Sequence, residues 1–162
     1  ITKTISNRTD AGMKESSQRP PGLHKRPESE SEWFAALLAL VRHLRGPQGC
    51  PWDRQQTAIR FAEYVRGETE ELIEALENRD AECVAEEWGD TLFTLLAVAA
   101  AAEEEGVLNV GEAMRGAHEK LIRRHAHIFG GREAGSPEEV AAMWAAIKSE
   151  EKAQRHAPKS AQ

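Results

Sequence analysis

Four carboxylates in one stretch of the sequence have the spacing of a cation-binding site. Glu68 and Glu71 stand three residues apart on one predicted helix, and Glu87 and Asp90 stand three residues apart on the next. Residues i and i+3 share one face of a helix, so each pair presents two carboxylates one turn apart. Two such pairs facing each other across a helix hairpin would form a cage of oxygens, which suits Mg²⁺ or Mn²⁺.

Helical geometry separates these four acids from their neighbours. At about 100° per residue, Glu68 falls inside the apolar stripe of its helix and Glu71 falls at the edge. Glu87 and Asp90 lie on the flank of the apolar stripe of the following helix. The other acids of the stretch face away and are interpreted as ordinary surface: Glu70, Glu74, Glu77, Glu82 and Glu86.

A core-facing carboxylate must be paired, protonated or bound to a cation. For any single one of these acids, a buried ion pair or a helix-packing edge is the better interpretation. For all four together a metal is favoured, because Arg79, in the predicted turn, is the only Lys or Arg between Glu68 and Asp90. An all-oxygen site favours Mg²⁺, with Mn²⁺ as a substitute, and Mg²⁺ commonly completes its shell with water and substrate phosphates. The pattern therefore predicts a phosphate-bearing substrate.

A basic row on a later predicted helix suits such a substrate. Lys120 and Arg124 flank the apolar stripe of that helix, and Arg123 lies further round. Arg can bind phosphate oxygens bidentately, and Lys binds them as a point charge. The competing interpretation is a solvated basic face with i, i+4 pairs such as Glu119–Arg123. That interpretation is favoured for Arg123 and stays open for Lys120 and Arg124.

Helices must position these residues, and the sequence predicts an all-α fold. No stretch alternates with the period of a strand, and the Gly- and Pro-rich segment 46–56 is predicted to be a loop. Apolar periodicity and capping residues predict four main helices and a short C-terminal one, over 29–45, 57–78, 80–105, 109–128 and 136–152.

The ends of the chain lack this periodicity. We predict a disordered polar tail over 1–28, one helical domain over 29–152 and a polar C-terminal tail over 153–162. The predicted helix that carries Glu87 is apolar nearly all round over 92–102, which favours burial in a dimer.

Composition excludes several classes of protein. A net charge of −6 argues against a protein that coats nucleic acid or an acidic membrane. The two cysteines, Cys50 and Cys83, do not make a disulfide framework and fit a reducing compartment. The longest apolar run, 91–102, is too short to span a bilayer, and the N-terminus has no signal pattern. We therefore expect a cytoplasmic protein.

Four segments of the sequence together resemble the MazG family of nucleoside triphosphate pyrophosphohydrolases. In the family's order they are LRGPQGCPWDRQQT, GETEELIEALENRDAECVAEEWGD, EKLIRRHAHIFG and MWAAIKSEE, and the resemblance as a whole covers roughly residues 33 to 151. The resemblance implies a helical bundle of the all-α NTP pyrophosphatase type, completed by dimerisation. It also implies Mg²⁺-dependent cleavage of a nucleoside triphosphate to the monophosphate and pyrophosphate.

The resemblance assigns roles to individual residues. It implies that the metal ligands are the four acids that helical geometry selects: Glu68, Glu71, Glu87 and Asp90. The family's phosphate-binding segment falls on Lys120, Arg123 and Arg124. The tryptophan that the family associates with the base falls on Trp144, and Lys148 follows one turn later. Trp144 is also spaced with Val140 and Ile147 as a core residue would be, so both interpretations stay open.

The resulting hypothesis is in-line attack of water on a phosphorus of the triphosphate, with pyrophosphate as the leaving group. Either Glu68 or Glu71 would accept a proton, and Lys120, Arg123 and Arg124 would stabilise the developing charge. Two alternatives stay open: a pyrophosphatase that prefers one nucleotide, such as dUTP, and a non-catalytic acidic helical scaffold. The partners expected are a nucleoside triphosphate and further copies of the chain.

Overall fold

The structure, a computed structural model, describes residues 26–156 of the chain. Within that range every regular element is a helix, which confirms the all-α prediction. The helices are α1 (Glu30–Arg45), α2 (Pro51–Gln55), α3 (Ala58–Asn78), α4 (Ala81–Glu104), α5 (Val110–Arg124), α6 (Ala126–Phe129) and α7 (Pro137–His156). Most of the predicted N-terminal tail (1–25) and the end of the predicted C-terminal tail (157–162) lie outside the described residues.

Polar side chains set where the main helices begin. Caps of this kind satisfy backbone N–H groups that the first helical turn leaves without a partner. The side chains that accept such bonds at α1, α3, α4 and α5 are Ser29, Thr57, Asp80 and Asn109. Between α3 and α4, Arg79 adopts a left-handed conformation with φ 54° and ψ 33°. This tight turn folds α4 back along α3, as the sequence predicts.

The structure differs from the sequence prediction at three places. The loop prediction for 46–56 is wrong at α2, which begins at Pro51 because the first position of a helix tolerates proline. The predicted helix 109–128 is interrupted at His125, whose φ of −97° and ψ of 43° are not helical. The last helix is not short: α7 has 20 residues and continues past Lys152 to His156. No Gly or Pro stands between those two residues to stop it.

The chain divides at Gly106 into two compact units, α1–α4 and α5–α7. The core of the first unit lies where α1 and α3 pack against α4, and its small residues allow close approach of the helices. Its buried members are Val41, Phe61, Leu96, Ala97, Ala100 and Ala101. Much of the apolar segment 92–102 is therefore covered within this unit itself, although Leu95 stays 52% exposed.

A buried arginine joins three segments of the first unit. Arg45, at the end of α1, is only 8% exposed. Its Nη1 donates to the backbone carbonyls of Asp53 at 2.6 Å and Gln56 at 3.0 Å. Its Nε and Nη2 donate to the Glu104 carboxylate at 3.1 and 2.8 Å. The guanidinium thereby fixes the α2 segment and the C-terminal end of α4 to α1.

Over residues 26–156, no helix has both the length and the apolar character that crossing a membrane requires.

Candidate metal centre and basic cluster

The α3–α4 hairpin brings three of the predicted metal ligands together. Glu68 and Glu71 on α3 and Glu87 on α4 each offer a carboxylate oxygen, and these oxygens lie within 4.8 Å of one another. The hairpin turn produces this arrangement, because it places the acidic face of α3 beside that of α4. Asp90, one turn further along α4, is outside this group of three. Its charge nevertheless acts on the site, since it raises the pKa of Glu68.

The cluster is electrostatically unfavourable by itself. Glu68 and Glu87 are half-buried, whereas Glu71 and Asp90 are exposed. Loss of solvent raises the pKa of Glu68, and the charges of Asp90 and Glu71 raise it further. Loss of solvent also raises the pKa of Glu87, followed by the charge of Glu71 and of the other nearby acids. Between residues 26 and 156, no basic side chain forms an ion pair with any of these four carboxylates.

These residues fit a hard divalent cation. The converging atoms are all carboxylate oxygens, the donor type that Mg²⁺ and Mn²⁺ prefer. A cation among them would stabilise the charged form of both carboxylates, against the loss of solvent and the mutual repulsion that raise their pKa values. Three protein oxygens also leave further coordination positions for water or phosphate oxygens, as is usual for Mg²⁺.

The raised pKa of Glu68 predicts that replacing this residue with Gln stabilises the metal-free protein at neutral pH. A carboxyl whose pKa is raised by folding contributes stability below its ordinary value of 4.5 and loses that contribution as the pH rises through the raised value. In EDTA at pH 7, the melting temperature of Glu68→Gln should exceed that of the wild type. The difference in melting temperature should disappear below about pH 4, where the wild-type Glu68 carboxyl is protonated in both the folded and the unfolded state.

Glu70→Gln is the matched control, because Glu70 is exposed on the same helix and faces away from the cluster. Its melting temperature should stay close to that of the wild type at both pH values. A melting temperature of Glu68→Gln below the wild-type value at pH 7 in EDTA would contradict the electrostatic account.

In the second unit, two of the predicted phosphate-binding residues are ion-paired. The carboxylate of Glu151 on α7 accepts a bond from Nη2 of Arg123 at 3.0 Å and from Nη2 of Arg124 at 2.6 Å. Glu119 pairs instead with Arg115 at 3.0 Å, so the alternative Glu119–Arg123 pair is wrong. In the part of the chain that the structure describes, half-buried Lys120 forms no ion pair.

Trp144 and Lys148 lie on α7, on the same face as Glu151. The Trp144 ring contacts His125 edge to face, with the ring centroids 4.8 Å apart. The Nζ atom of Lys148 lies 6.0 Å from the centroid of the Trp144 ring. Trp144 is half-buried and its neighbour Ile147 is buried, so this face of α7 serves at least in packing.

The sequence alone does not identify Glu151 as a site residue. Its partners Arg123 and Arg124 stand far away in sequence, so no local spacing connects them. A signal was nevertheless present on α7, because Glu151 follows Trp144 by seven residues and Lys148 by three. That spacing places it on the face that carries Trp144 and Lys148, both of which are predicted to bind the substrate.

The chain is similar to known proteins over most of the helices described above. The family model of the MazG nucleotide pyrophosphohydrolase domain matches residues 56–129, a range that includes all four acids and the segment 120–124. A nucleoside triphosphate pyrophosphohydrolase of Escherichia coli K12 is 39% identical over 120 residues, which cover 74% of this chain and 46% of that protein. The nucleoside triphosphate pyrophosphohydrolase/pyrophosphatase MazG of Thermotoga maritima is 38% identical over 122 residues, covering 75% of this chain and 46% of that protein.

The chain thus spans less than half the length of these two curated relatives. The crystal structure of a mazG-related protein from Thermotoga maritima superimposes with a TM-score of 0.62 at 30% sequence identity. That match covers 71% of this chain and 98% of the solved one. Since the likeness extends over nearly a whole solved relative, the chain belongs to the MazG family.

Proposed function

We propose that the chain is a Mg²⁺-dependent pyrophosphohydrolase that converts (d)NTPs to (d)NMPs and pyrophosphate, with residues 29–152 as the catalytic unit. The observation that carries this proposal is the group of three carboxylate oxygens within 4.8 Å of one another. Membership of the MazG family supports it, as do the names of the Escherichia coli and Thermotoga maritima relatives. Removal of unwanted nucleotides from the pool is the role that such an activity would serve.

The acidic residues would hold the cation and handle the proton. Glu68, Glu71, Glu87 and Asp90 would be the ligands of Mg²⁺, with Mn²⁺ as a substitute. When bound, the cation lowers the pKa of the attacking water and neutralises charge on the pyrophosphate that leaves. Glu68 or Glu71 would accept the proton of that water.

The basic and aromatic residues of the second unit would bind the substrate. Lys120, Arg123 and Arg124 offer N–H donors to the phosphate oxygens, and their positive charges would stabilise the charge that develops there. Trp144 would contact the base with its ring, and Lys148 would add a cation beside it. The net charge of −6 argues against a nucleic acid as the substrate or partner.

A nucleotide panel tests the proposed function. The protein is incubated with canonical and damaged ribo- and deoxyribonucleoside triphosphates, and pyrophosphate and monophosphate release are measured against Mg²⁺ concentration. We expect both products in equal amounts, no release in EDTA, and recovery with Mg²⁺ or Mn²⁺. Release confined to one nucleotide, such as dUTP, would identify a narrow-specificity enzyme. Absence of pyrophosphate from every nucleotide would contradict the proposal and favour a non-catalytic scaffold.

We also propose a cytoplasmic homodimer. Large apolar side chains stay about half exposed on the α3–α4 hairpin, and the set comprises Ile73, Leu76, Trp88 and Leu95. Trp88 and Leu95 stand seven residues apart and share one face of α4. Contiguous exposed apolar patches are rare on monomeric proteins and mark interaction surfaces. Light scattering should give twice the mass of one chain, and a single-chain mass at every concentration would contradict the dimer.

A further inference from the structure

Glu151 is the hub of an ion-pair cluster between α5 and α7. One carboxylate oxygen accepts a bond from Nη2 of Arg123 at 3.0 Å. The other accepts bonds from Nε and Nη2 of Arg124 at 3.2 and 2.6 Å. The Glu151 side chain is 12% exposed and that of Arg124 is 18% exposed, whereas that of Arg123 is 56% exposed. The hydrogen bond from Arg124 lowers the pKa of Glu151, so the carboxylate stays charged at neutral pH.

The geometry leaves one edge of Arg124 available. A guanidinium has five N–H donors in a fixed plane. Glu151 accepts hydrogen bonds from the single N–H of Nε and from one N–H of Nη2 of Arg124. The remaining three, both on Nη1 and the second on Nη2, have no partner within residues 26–156. One hydrogen of Nη1 and the second hydrogen of Nη2 form the end-on edge of the guanidinium, which can bind two oxygens of one phosphate.

A competing interpretation is that the Glu151 carboxylate occupies the position of a substrate phosphate and is displaced when the substrate binds. The burial of Glu151 and Arg124 argues against it. Displacing Glu151 would leave a largely buried negative charge without its two partners, which is strongly unfavourable. It would also leave two neighbouring positive charges, those of Arg123 and Arg124, without a counter-charge. Between residues 26 and 156, Glu151 is the only carboxylate that pairs with either of them. A fixed carboxylate instead reduces the rotamer freedom that Arg124 would lose when it binds a phosphate.

We propose that Glu151 is a positioning residue, which holds the inner edge of Arg124 so that its outer edge is oriented for a phosphate of the triphosphate. Glu151 shares a face of α7 with Trp144 and Lys148, so the same contact fixes those residues relative to the arginines of α5. The inference rests on the proposed function and adds to it a residue that does not itself touch the substrate.

The experiment compares wild type, Glu151→Gln, Glu151→Asp and the control Glu150→Gln. Glu150 is the neighbouring exposed acid on α7 and undergoes the same change of charge. Steady-state kinetics give KM and kcat for pyrophosphate release. Calorimetry gives the Kd of the α,β-methylene analogue of the hydrolysed nucleotide, or of inorganic tripolyphosphate if no nucleotide is hydrolysed. Melting temperatures and circular dichroism establish that each variant is folded at the assay temperature.

We expect Glu151→Gln to raise KM and the analogue Kd by on the order of 10- to 100-fold, as misplacement of a binding group typically does. Glu151→Asp, which keeps the charge on a shorter side chain, should fall between Gln and wild type. Glu150→Gln should match the wild type. A folded Glu151→Gln protein with unchanged KM and Kd, whatever its melting temperature, would show a purely structural role and overturn the inference. Tighter binding by Glu151→Gln would identify an inhibitory carboxylate and also overturn it.

The proposed function and the inference can fail separately. If the wild type binds the triphosphate with the expected dependence on Glu151 but releases no pyrophosphate, the proposed function fails and the inference stands. If the wild type releases pyrophosphate and Glu151→Gln does so with equal KM, the inference alone fails. Absence of any triphosphate binding by the wild type overturns both.

Discussion

Glu87→Gln should lose at least about 100-fold in pyrophosphate release, because loss of groups that only orient metal ligands already costs about 10- to 100-fold. Gln keeps the size of the side chain and one oxygen but removes the charge that attracts the cation. Mg²⁺ should raise the melting temperature of the wild type, since a ligand that binds only the native state stabilises it. That increase should shrink strongly in Glu87→Gln. Kinetics and thermal melts over a series of Mg²⁺ concentrations measure both effects.

Glu86→Gln is the control, because Glu86 is exposed beside Glu87 and lies outside the group of three converging oxygens. It should keep wild-type kinetics and the wild-type response to Mg²⁺. We expect Glu87→Gln to stay folded, since loss of solvent and then the charges of nearby acids raise the pKa of Glu87, so removing its charge relieves an unfavourable interaction in the metal-free protein. Full activity of Glu87→Gln, or a wild-type melting temperature indifferent to Mg²⁺, would contradict the metal centre.

The acidic cluster could be predicted from the sequence because its geometry depends on helical spacing and on one tight turn, both of which are local in sequence. The i, i+3 spacing of Glu68 and Glu71 follows from helical geometry alone, and the cap at Asp80 marks where α4 begins. Because the turn between the helices consists of one left-handed residue, Arg79, α4 returns along α3. The spacing and the turn together bring Glu87 to the acids of α3 without any information about the rest of the fold.

The basic cluster was predictable only in part, because side-chain partners depend on tertiary packing. Local spacing offered Glu119 as the partner of Arg123, but Glu119 pairs with Arg115 and Arg123 pairs with Glu151. Glu119 on the same helix and Glu151 on the neighbouring helix could each pair with Arg123, and the packing of α7 against α5 determines which one does. The ring Nδ1 of His125 lies 2.7 Å from the carbonyl oxygen of Leu121, four residues earlier, so a local contact accompanies the end of α5.

Arg45 is the strongest case of a residue whose role only the structure reveals, since in sequence it is one more basic residue at a helix end. We expect Arg45→Met to lower the free energy of unfolding by about 2–4 kcal/mol. Met replaces much of the volume, but the carbonyl of Gln56 loses its donor and that of Asp53 keeps only the backbone N–H of Gln56. A buried group left without its partner typically costs about 1–3 kcal/mol. The lost pair with Glu104 adds little, because that carboxylate is 51% exposed and water can solvate it.

Urea unfolding followed by circular dichroism measures this loss, and two variants isolate its cause. Arg42→Met removes a neighbouring pair with Glu103, in which the Arg42 side chain is 50% exposed, so it should cost less than about 1 kcal/mol. Glu104→Gln leaves the bonds from Arg45 to the two carbonyls intact and should also cost about 1 kcal/mol or less. If Arg45→Met costs no more than Arg42→Met, the carbonyl bonds do not hold the α2 segment in place. If Glu104→Gln costs as much as Arg45→Met, the ion pair rather than the carbonyl bonds stabilises this end of the bundle.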